Sequence, residues 1–182
     1  MKRCCFLDRD GVVNVEVNYL HEPEKVQLIP GIVEALRSLH AHGYLAIVVT
    51  NQAGVAKGMY DESAIHAVHK RIQELLAGDG EKIDDFFYCP HHPDKTGPCR
   101  CRKPGTGMID AAKEKYNIDI AESFLIGDRL SDLEAGRNAG CKTVYLVRTG
   151  YGAELVAQGE TGGATVAEDV LDAVSLFFQG KY

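Results

Sequence analysis

The amino-acid sequence predicts an α/β fold with a mostly parallel central sheet and helices packed against it. Short apolar runs rich in β-branched or aromatic residues alternate with longer stretches whose apolar residues recur every three or four positions. This alternation is typical of parallel strands joined by helical crossovers. The chain has 182 residues, of which 45% are hydrophobic and 25% charged, as expected for a single globular domain covering residues 1–182.

The strands are predicted at the short apolar runs, in chain order Arg3–Leu7, residues 45–50, Asp85–Cys89, residues 123–126 and Thr143–Val147. Runs of this length cannot be separated from buried helix by periodicity alone. Their turn-forming or polar flanks and their β-branched or aromatic content favour strands.

The helices are predicted between and after these strands, at residues 30–43, 61–78, 106–116, 131–139 and 167–178. Pro30 suits the start of the first helix and Gly43 its end. Asp61 is a suitable N-cap for the second, which Gly78 terminates. The glycine-rich stretch at residues 159–163 is predicted to be a surface loop.

Charge and hydropathy exclude several classes of function. With 20 basic and 26 acidic residues the net charge is −6, which disfavours nucleic acids and anionic membranes as partners. No apolar run reaches the roughly 20 residues that a bilayer span needs. The stretch from Met1 to Leu7 reaches Asp8 too soon to serve as a signal peptide. We therefore expect a cytoplasmic monomer that acts on a small molecule.

Acidic residues follow two of the predicted strands. Asp8 and Asp10 come directly after the first strand, and Asp128 comes after the fourth. Because ligands of open parallel sheets bind beyond the carboxyl ends of the strands, these groups are expected to share one crevice. Neighbouring carboxylates need a cation or a shared proton, and Mg²⁺ prefers such oxygen ligands.

The same residues suit phosphoryl transfer. A carboxylate such as Asp8 can attack phosphorus, and Asp10 can then serve as the general acid and base. Thr50 and Lys103 would balance the charge of the phosphoryl group. An isolated Asp-x-Asp-Gly is mostly a turn or a helix cap, so the interpretation depends on the other groups.

Four ordered motifs carry a family resemblance: residues 8–12 (DRDGV), 50–54 (TNQAG), 102–104 (RKP) and 127–129 (GDR), the last with Asp132. Together they are similar to the motifs of the haloacid dehalogenase superfamily of phosphatases. The resemblance implies a three-layer Rossmann-like fold and catalysis through an aspartyl-phosphate on Asp8. It also implies Mg²⁺ bound by the Asp8 side chain, the Asp10 backbone carbonyl and Asp128, with a supporting role for Asp132.

A cluster of metal-ligand residue types lies at about residues 89–101. Cys89, Cys99 and Cys101 together with one histidine form a tetrahedral Zn²⁺ set, which would be structural because no position is left open. His91 and His92 compete for the fourth position, and the resemblance favours His91. The alternative is a group of unpaired cysteines in a surface loop.

The spacing between the motifs leaves no room for a cap domain. This capless version with a zinc loop resembles the heptose-bisphosphate phosphatases, which hydrolyse the 7-phosphate of D-glycero-D-manno-heptose 1,7-bisphosphate for ADP-heptose and lipopolysaccharide core synthesis. The resemblance implies that a sugar bisphosphate is bound by Glu16, Asn18, Tyr19, Asn51, Gln52, Arg102 and Arg129.

Three other interpretations remain open from the sequence. Histidinol-phosphate phosphatases share the motifs and the zinc residues. A phospho-receiver signalling domain also combines a strand-end aspartate, Mg²⁺, a threonine and a lysine, but has no use for an acid two residues after the nucleophile. A zinc-stabilised interaction module would leave the three aspartates without a purpose.

Overall fold

Six parallel strands form one continuous sheet in the computed structural model, which describes residues 1–182. Their spatial order is β3-β2-β1-β4-β5-β6. The strands are β1 (Arg3–Leu7), β2 (Tyr44–Asn51), β3 (Asp85–Cys89), β4 (Phe124–Gly127), β5 (Thr143–Val147) and β6 (Thr165–Ala167). The prediction of a mostly parallel α/β fold is confirmed.

Seven α-helices follow or connect the strands. They are α1 (Ile32–Ala41), α2 (Glu62–Ala77), α3 (Pro93–Thr96), α4 (Gly107–Tyr116), α5 (Leu130–Ala139), α6 (Gly152–Ala157) and α7 (Val170–Phe178). Helices α1, α2 and α7 contribute to one apolar core and helices α4 and α5 to a second one. The result is three layers, with helices on both faces of the sheet.

Strand β1 lies at the centre of the sheet and separates the two cores. Cys5 and Leu7 belong to one core, while Cys4 and Phe6 belong to the other. All four are fully buried, as the two-residue periodicity of a strand covered on both faces requires. This burial fixes the register, because a slip of one residue would exchange the two faces.

The end of the chain differs from the prediction. Residues 165–167 form the edge strand β6, which pairs Ala167 with Val147, and helix α7 begins only at Val170. The predicted start at residue 167 was wrong because Asp169 caps this helix, accepting a hydrogen bond from the Asp172 backbone at 2.9 Å. Strand β6 and the short helix α6 were missed, since neither is long enough to carry a periodic pattern.

The carboxyl ends of β1 and β4 lie side by side where the strand order reverses. In doubly wound sheets ligands bind at this switch point. The segments at residues 8–31 and 52–61 pass over this edge and contain no α-helix, so no cap domain covers it. No helix of the molecule combines the length and the apolar character that crossing a membrane requires.

Candidate active site

Asp8 and Asp128 meet at the switch point of the sheet. The Asp8 backbone N–H donates to the Ile126 carbonyl at 3.0 Å, which joins the end of β1 to β4. Gly11 lies against the Asp128 carboxylate, with a φ of +87°, and a Cβ on it would stand 2.3 Å from Asp128 Oδ2. Only glycine therefore permits the turn after β1 to approach the second aspartate this closely.

Lys103 is the buried cation of the site. Its Nζ donates to Asp8 Oδ1 at 2.8 Å and to the Val49 carbonyl at 2.7 Å, and it pairs with Asp132 Oδ1 at 2.7 Å. Burial alone would lower the pKa of Lys103, but the carboxylates of Asp132 and Asp8 outweigh it and raise the pKa above its usual value. Lys103 is therefore held as a cation.

Asp8, Asp128 and Asp132 together form a buried carboxylate cluster whose oxygen atoms lie within 4.8 Å of one another. Burial, followed by the charge of Asp132, raises the pKa of Asp8 to about 6, although Lys103 opposes the shift. Burial and the charges of Asp8 and Asp132 raise the pKa of Asp128 to about 8. The single positive charge of Lys103 does not compensate the negative charges of three carboxylates in this buried environment.

The free oxygen atom of Asp128 is the observation that fits a divalent cation. Asp128 is fully buried, its Oδ2 accepts the Tyr151 backbone N–H at 2.9 Å, and its Oδ1 has no hydrogen-bond partner. Buried polar atoms without a partner are rare, and an ion accounts for them. The donor set consists of oxygen atoms alone, which is the set that Mg²⁺ prefers.

Asp132 is fixed by the first turn of α5. Its Oδ2 accepts the Arg129 backbone N–H at 3.0 Å, which caps the helix, and its Oδ1 faces Lys103. Gly127 leaves room for this turn, because a Cβ at Gly127 would lie 2.2 Å from the Asp132 Cβ. The helix cap and the charge cluster therefore depend on the same side chain.

The polar side chains at and just after the end of β2 form hydrogen bonds with other residues of the site. Asn51 accepts the Lys103 backbone N–H through Oδ1 at 3.0 Å and donates to the Lys103 carbonyl through Nδ2 at 3.2 Å. Gln52 donates to Thr50 Oγ1 at 2.9 Å and to Asp10 Oδ2 at 3.0 Å. Asn51 thus bonds to both polar groups of the Lys103 backbone, the N–H and the carbonyl.

One cavity of about 370 Å³ opens at this edge of the sheet. Twelve of the sequence-predicted site residues line it: Asp8, Asp10, Glu16, Asn18, Tyr19, Thr50, Asn51, Gln52, Arg102, Lys103, Arg129 and Asp132. Asp128 lies behind them and is fully buried. The folded chain therefore brings together residues that are spread over most of the sequence.

The cavity wall also contains residues that the sequence analysis did not select, among them Lys57, Tyr60 and Tyr151. Lys57 donates to the Tyr19 hydroxyl, and its Nζ lies 4.9 Å from the centre of the Tyr19 ring. Tyr19 itself has a φ of +62°, an uncommon conformation for a tyrosine. No motif marks Lys57 or Tyr151, although Lys57 lies three residues after the Thr-Asn-Gln-Ala-Gly run.

Arg129 is the cation of the opposite wall. Its guanidinium carbon lies 3.8 Å from the centre of the Tyr151 ring, and its Nη2 lies 3.8 Å from Glu16 Oε2. Burial and the nearby Asp10 charge raise the pKa of Glu16 to about 6. The contact with the Tyr151 ring restricts the motion of this guanidinium, which lines the cavity.

Cys89, His91, Cys99 and Cys101 converge beside the cavity, with their ligand atoms within 4.8 Å of one another. The Cys89–Cys99, Cys99–Cys101 and Cys89–His91 ligand atoms are 3.6, 3.5 and 3.7 Å apart. A tetrahedral zinc–sulfur site has ligand separations of roughly 3.8 Å. The Cys89–Cys101 separation is shorter, at 2.8 Å. The convergence of three thiols and one imidazole is compatible with Zn²⁺.

His92 does not belong to this cluster. Its Nδ1 accepts the Asp94 backbone N–H at 3.3 Å and caps α3. The carbonyl of His91 accepts a hydrogen bond from Arg102 Nη1 at 3.2 Å, so the cysteine loop holds the arginine that precedes Lys103. Of the two candidate histidines, His91 is the one whose ring nitrogen meets the thiols.

Comparison with known proteins places the chain among sugar-phosphate phosphatases. Residues 100–173 match the HAD-hydrolase-like family model. The chain is 44% identical over 154 residues to D-glycero-alpha-D-manno-heptose-1,7-bisphosphate 7-phosphatase of Photorhabdus laumondii, covering 82% of this chain and 84% of the relative. It is 40% identical over 178 residues to D-glycero-beta-D-manno-heptose-1,7-bisphosphate 7-phosphatase of Haemophilus ducreyi, covering 95% and 97%. The chain belongs to the heptose-bisphosphate phosphatase family.

A solved structure of this family extends the likeness to three dimensions. The D,D-heptose 1,7-bisphosphate phosphatase of B. bronchiseptica, complexed with magnesium and phosphate, has a TM-score of 0.88 and 36% sequence identity, with 99% of each chain covered. Membership of the heptose-bisphosphate phosphatase family confirms the resemblance predicted from the four motifs. The HAD-like fold predicted from that resemblance is confirmed as well.

Proposed function

We propose that this chain is a Mg²⁺-dependent phosphatase that removes the 7-phosphate of D-glycero-D-manno-heptose 1,7-bisphosphate through an aspartyl-phosphate on Asp8. The observation that carries the proposal is the position of Asp8, which faces the cavity, is paired with Lys103 and lies in contact with two further buried carboxylates. The product of this reaction would be the heptose 1-phosphate used for ADP-heptose and lipopolysaccharide core synthesis.

Asp8, Asp128 and the backbone carbonyl of Asp10 would hold the Mg²⁺ ion. When bound, it would offset the negative charge of the carboxylates and of the phosphoryl oxygens. The unpartnered Asp128 Oδ1 supports this assignment. The Asp10 carboxylate is engaged by Arg9, which agrees with a contribution from the Asp10 backbone rather than from its side chain.

In the first half of the reaction an Asp8 oxygen attacks phosphorus and the bond from phosphorus to the sugar oxygen breaks. Asp10 gives its proton to that oxygen, so the sugar leaves as an alcohol. In the second half water attacks the phosphorus, Asp10 takes a proton from the water, and inorganic phosphate leaves Asp8 free. Lys103 and the Thr50 hydroxyl stabilise the charge of the phosphoryl group in both halves.

Two arginines of the cavity wall, Arg102 and Arg129, support a substrate with a second phosphate. The sugar would lie along Glu16, Asn18 and Tyr19, and its other phosphate would reach Arg102 or Arg129. Both arginines are pre-oriented, Arg102 by the His91 carbonyl and Arg129 by the Tyr151 ring. A fixed guanidinium loses little conformational entropy when it binds a phosphate, which favours a bisphosphate over a monophosphate.

We further propose that residues 1–182 act as a single catalytic domain in which a Zn²⁺ ion at Cys89, His91, Cys99 and Cys101 is structural. Four protein ligands leave no position for substrate or water. The ion would stabilise the loop that leads into Arg102 and Lys103. Its contribution to catalysis would therefore be the placement of these two cations.

A parallel turnover assay tests the substrate. The purified protein with Mg²⁺ is given heptose 1,7-bisphosphate (both anomers), fructose 1,6-bisphosphate or histidinol phosphate, and release of phosphate is measured. We expect kcat/KM to be highest for one of the heptose bisphosphates. A preference for histidinol phosphate would contradict the substrate assignment and leave the phosphatase assignment intact.

The Asp8→Asn variant tests the chemistry. The substitution keeps the size of the side chain but removes the nucleophile, so turnover of every substrate should disappear. Asp110→Asn is the matched control, because Asp110 is an exposed aspartate on α4. Turnover that persists in the Asp8→Asn variant would exclude Asp8 as the nucleophile.

A further inference from the structure

Arg9 stands between the two aspartates of the first motif and is the largest fully buried side chain of the molecule. A buried guanidinium needs hydrogen-bond acceptors, and Arg9 finds them mainly in Asp10. Its Nη2 donates to Asp10 Oδ2 at 2.9 Å and to Oδ1 at 3.1 Å, and its Nε donates to Oδ1 at 3.2 Å. Arg9 does not line the cavity and therefore cannot touch a bound substrate there.

The Asp10 carboxylate is held from two further directions. Asn14 Nδ2 donates to Oδ1 at 2.9 Å, and Gln52 Nε2 donates to Oδ2 at 3.0 Å. Both oxygens are thus bonded, and only 17% of the Asp10 side chain is exposed. A bidentate pair with a guanidinium also fixes the plane of a carboxylate. The exposed edge of Asp10 therefore faces the cavity in one orientation.

Gln52 joins this arrangement to the phosphoryl side of the site. Its Oε1 accepts hydrogen bonds from Arg9 Nη2 at 3.2 Å and from the Tyr60 hydroxyl at 3.0 Å. Because the oxygen faces two donors, the amide nitrogen must point the other way, towards Asp10 and Thr50. Gln52 therefore fixes the separation between Asp10, at the leaving-group end of the site, and Thr50, at the phosphoryl end.

We propose that Arg9 is a positioning residue for Asp10, with Gln52 as the link that keeps Asp10 in register with Thr50; the inference rests on the proposed function. Proton transfer requires the donor atom within hydrogen-bond distance of the leaving oxygen, so a rotated carboxylate protonates it poorly. Arg9 prevents that rotation without any contact with the substrate.

The test compares Arg9→Met and Arg9→Lys with the parent, with Mg²⁺ and two kinds of substrate: an alkyl phosphate and 4-nitrophenyl phosphate. An aryl oxygen leaves without a proton, so only the alkyl ester depends on Asp10 as an acid. We expect kcat/KM of Arg9→Met to fall on the order of 10²-fold for the alkyl phosphate and by much less for the aryl phosphate. KM should change little.

Arg9→Lys restores the charge but not the bidentate geometry, so we expect part of the loss on the alkyl phosphate to return. This variant also decides the matter if Arg9→Met does not fold, because it keeps a cation beside Asp10. Arg37→Met is the control: Arg37 is an exposed arginine on α1 that pairs with Glu81 at 3.5 Å.

Equal losses on alkyl and aryl phosphates in the folded variants, or a loss through KM alone, would overturn the positioning role of Arg9. An unchanged rate would overturn it as well. The parent distinguishes this failure from failure of the proposed function. If the parent hydrolyses neither ester and no sugar phosphate, the phosphatase assignment fails, and the positioning role fails with it.

Discussion

His69 offers a test of how far burial controls a titratable group in this molecule. It lies on α2, is 6% exposed, and stacks on Phe86 with ring centres 4.3 Å apart. Its Nε2 has no hydrogen-bond partner. Burial, followed by the positive charge of Arg9, lowers the pKa of His69 from 6.5 to about 3. The imidazole is therefore neutral in the folded protein at any pH near neutrality.

The sign of the effect on stability follows from the two pKa values. Between about pH 3 and pH 6.5 the unfolded chain binds a proton at this histidine and the folded chain does not. The stability that the protein gains from a neutral, buried His69 is therefore complete above pH 6.5. It is lost as the pH falls from there towards about 3. At about pH 5 the unfolded side chain is protonated roughly 30 to 1, which corresponds to a loss of about 2 kcal/mol in the free energy of unfolding.

His69→Phe removes the titration and keeps an aromatic ring against Phe86. Urea unfolding of the parent and the variant is compared at about pH 7.5 and about pH 5, and the parent should lose roughly 2 kcal/mol more than the variant on acidification. For a chain of this size the difference corresponds to ~4–8 °C in Tm. His66→Gln, at an exposed histidine on the same helix whose charge lowers the pKa of His69 less than burial and Arg9 do, is the control and should keep most of the parent's pH dependence.

The difference between parent and variant isolates this side chain from the carboxylates that titrate in the same pH range. Equal acid losses in the parent and in His69→Phe would refute the argument. That result would mean that His69 takes up its proton in the folded protein, with a pKa close to that of the unfolded chain.

Three other substitutions test the site. Lys103→Met leaves two buried carboxylates without their shared cation, so without Mg²⁺ the free energy of unfolding should fall by roughly 3–5 kcal/mol, and kcat should drop by about 10²–10³-fold; an unchanged kcat would exclude a role for the cation. Cys101→Ser should lose the zinc measured by metal analysis and most of kcat/KM, whereas Cys141→Ser, outside the cluster, should keep both; full activity without zinc would contradict the structural role. Gly127→Ala places a Cβ 2.2 Å from that of Asp132, so thermal unfolding and turnover should both decline, and a variant with parental Tm would show that α5 can move.

Much of the fold and of the candidate site could be predicted because strand ends are legible in the sequence. Asp8, Thr50 and Asp128 each follow an apolar run, and parallel topology brings such positions to one edge. The hydrogen-bond partners of the side chains at these positions cannot be predicted in the same way. Asn51 ends the strand that contains Thr50 and Gln52 follows it, yet their hydrogen bonds go to the Lys103 backbone and to Asp10.

Other parts of the site carry no sequence pattern at all. Tyr151 reaches the cavity because the chain turns back after β5, and its backbone N–H meets Asp128 there, 23 residues away. Strand β6 has only three residues and relies on pairing with β5. Tertiary contacts of this kind decide the structure where local propensity is weak.

The two hydrogen bonds between Asn51 and the Lys103 backbone have a consequence for how the chain folds. They close a loop of 52 residues, and the pair of Lys103 with Asp8 closes one of 95. Loops of this length carry a large entropic cost, which local helices do not face. Strands β1 and β2 must lie side by side, and the chain beyond them must return to their carboxyl ends, before Lys103 can pair with Asp8. We therefore expect catalytic activity to appear late in folding, after β1 and β2 have paired.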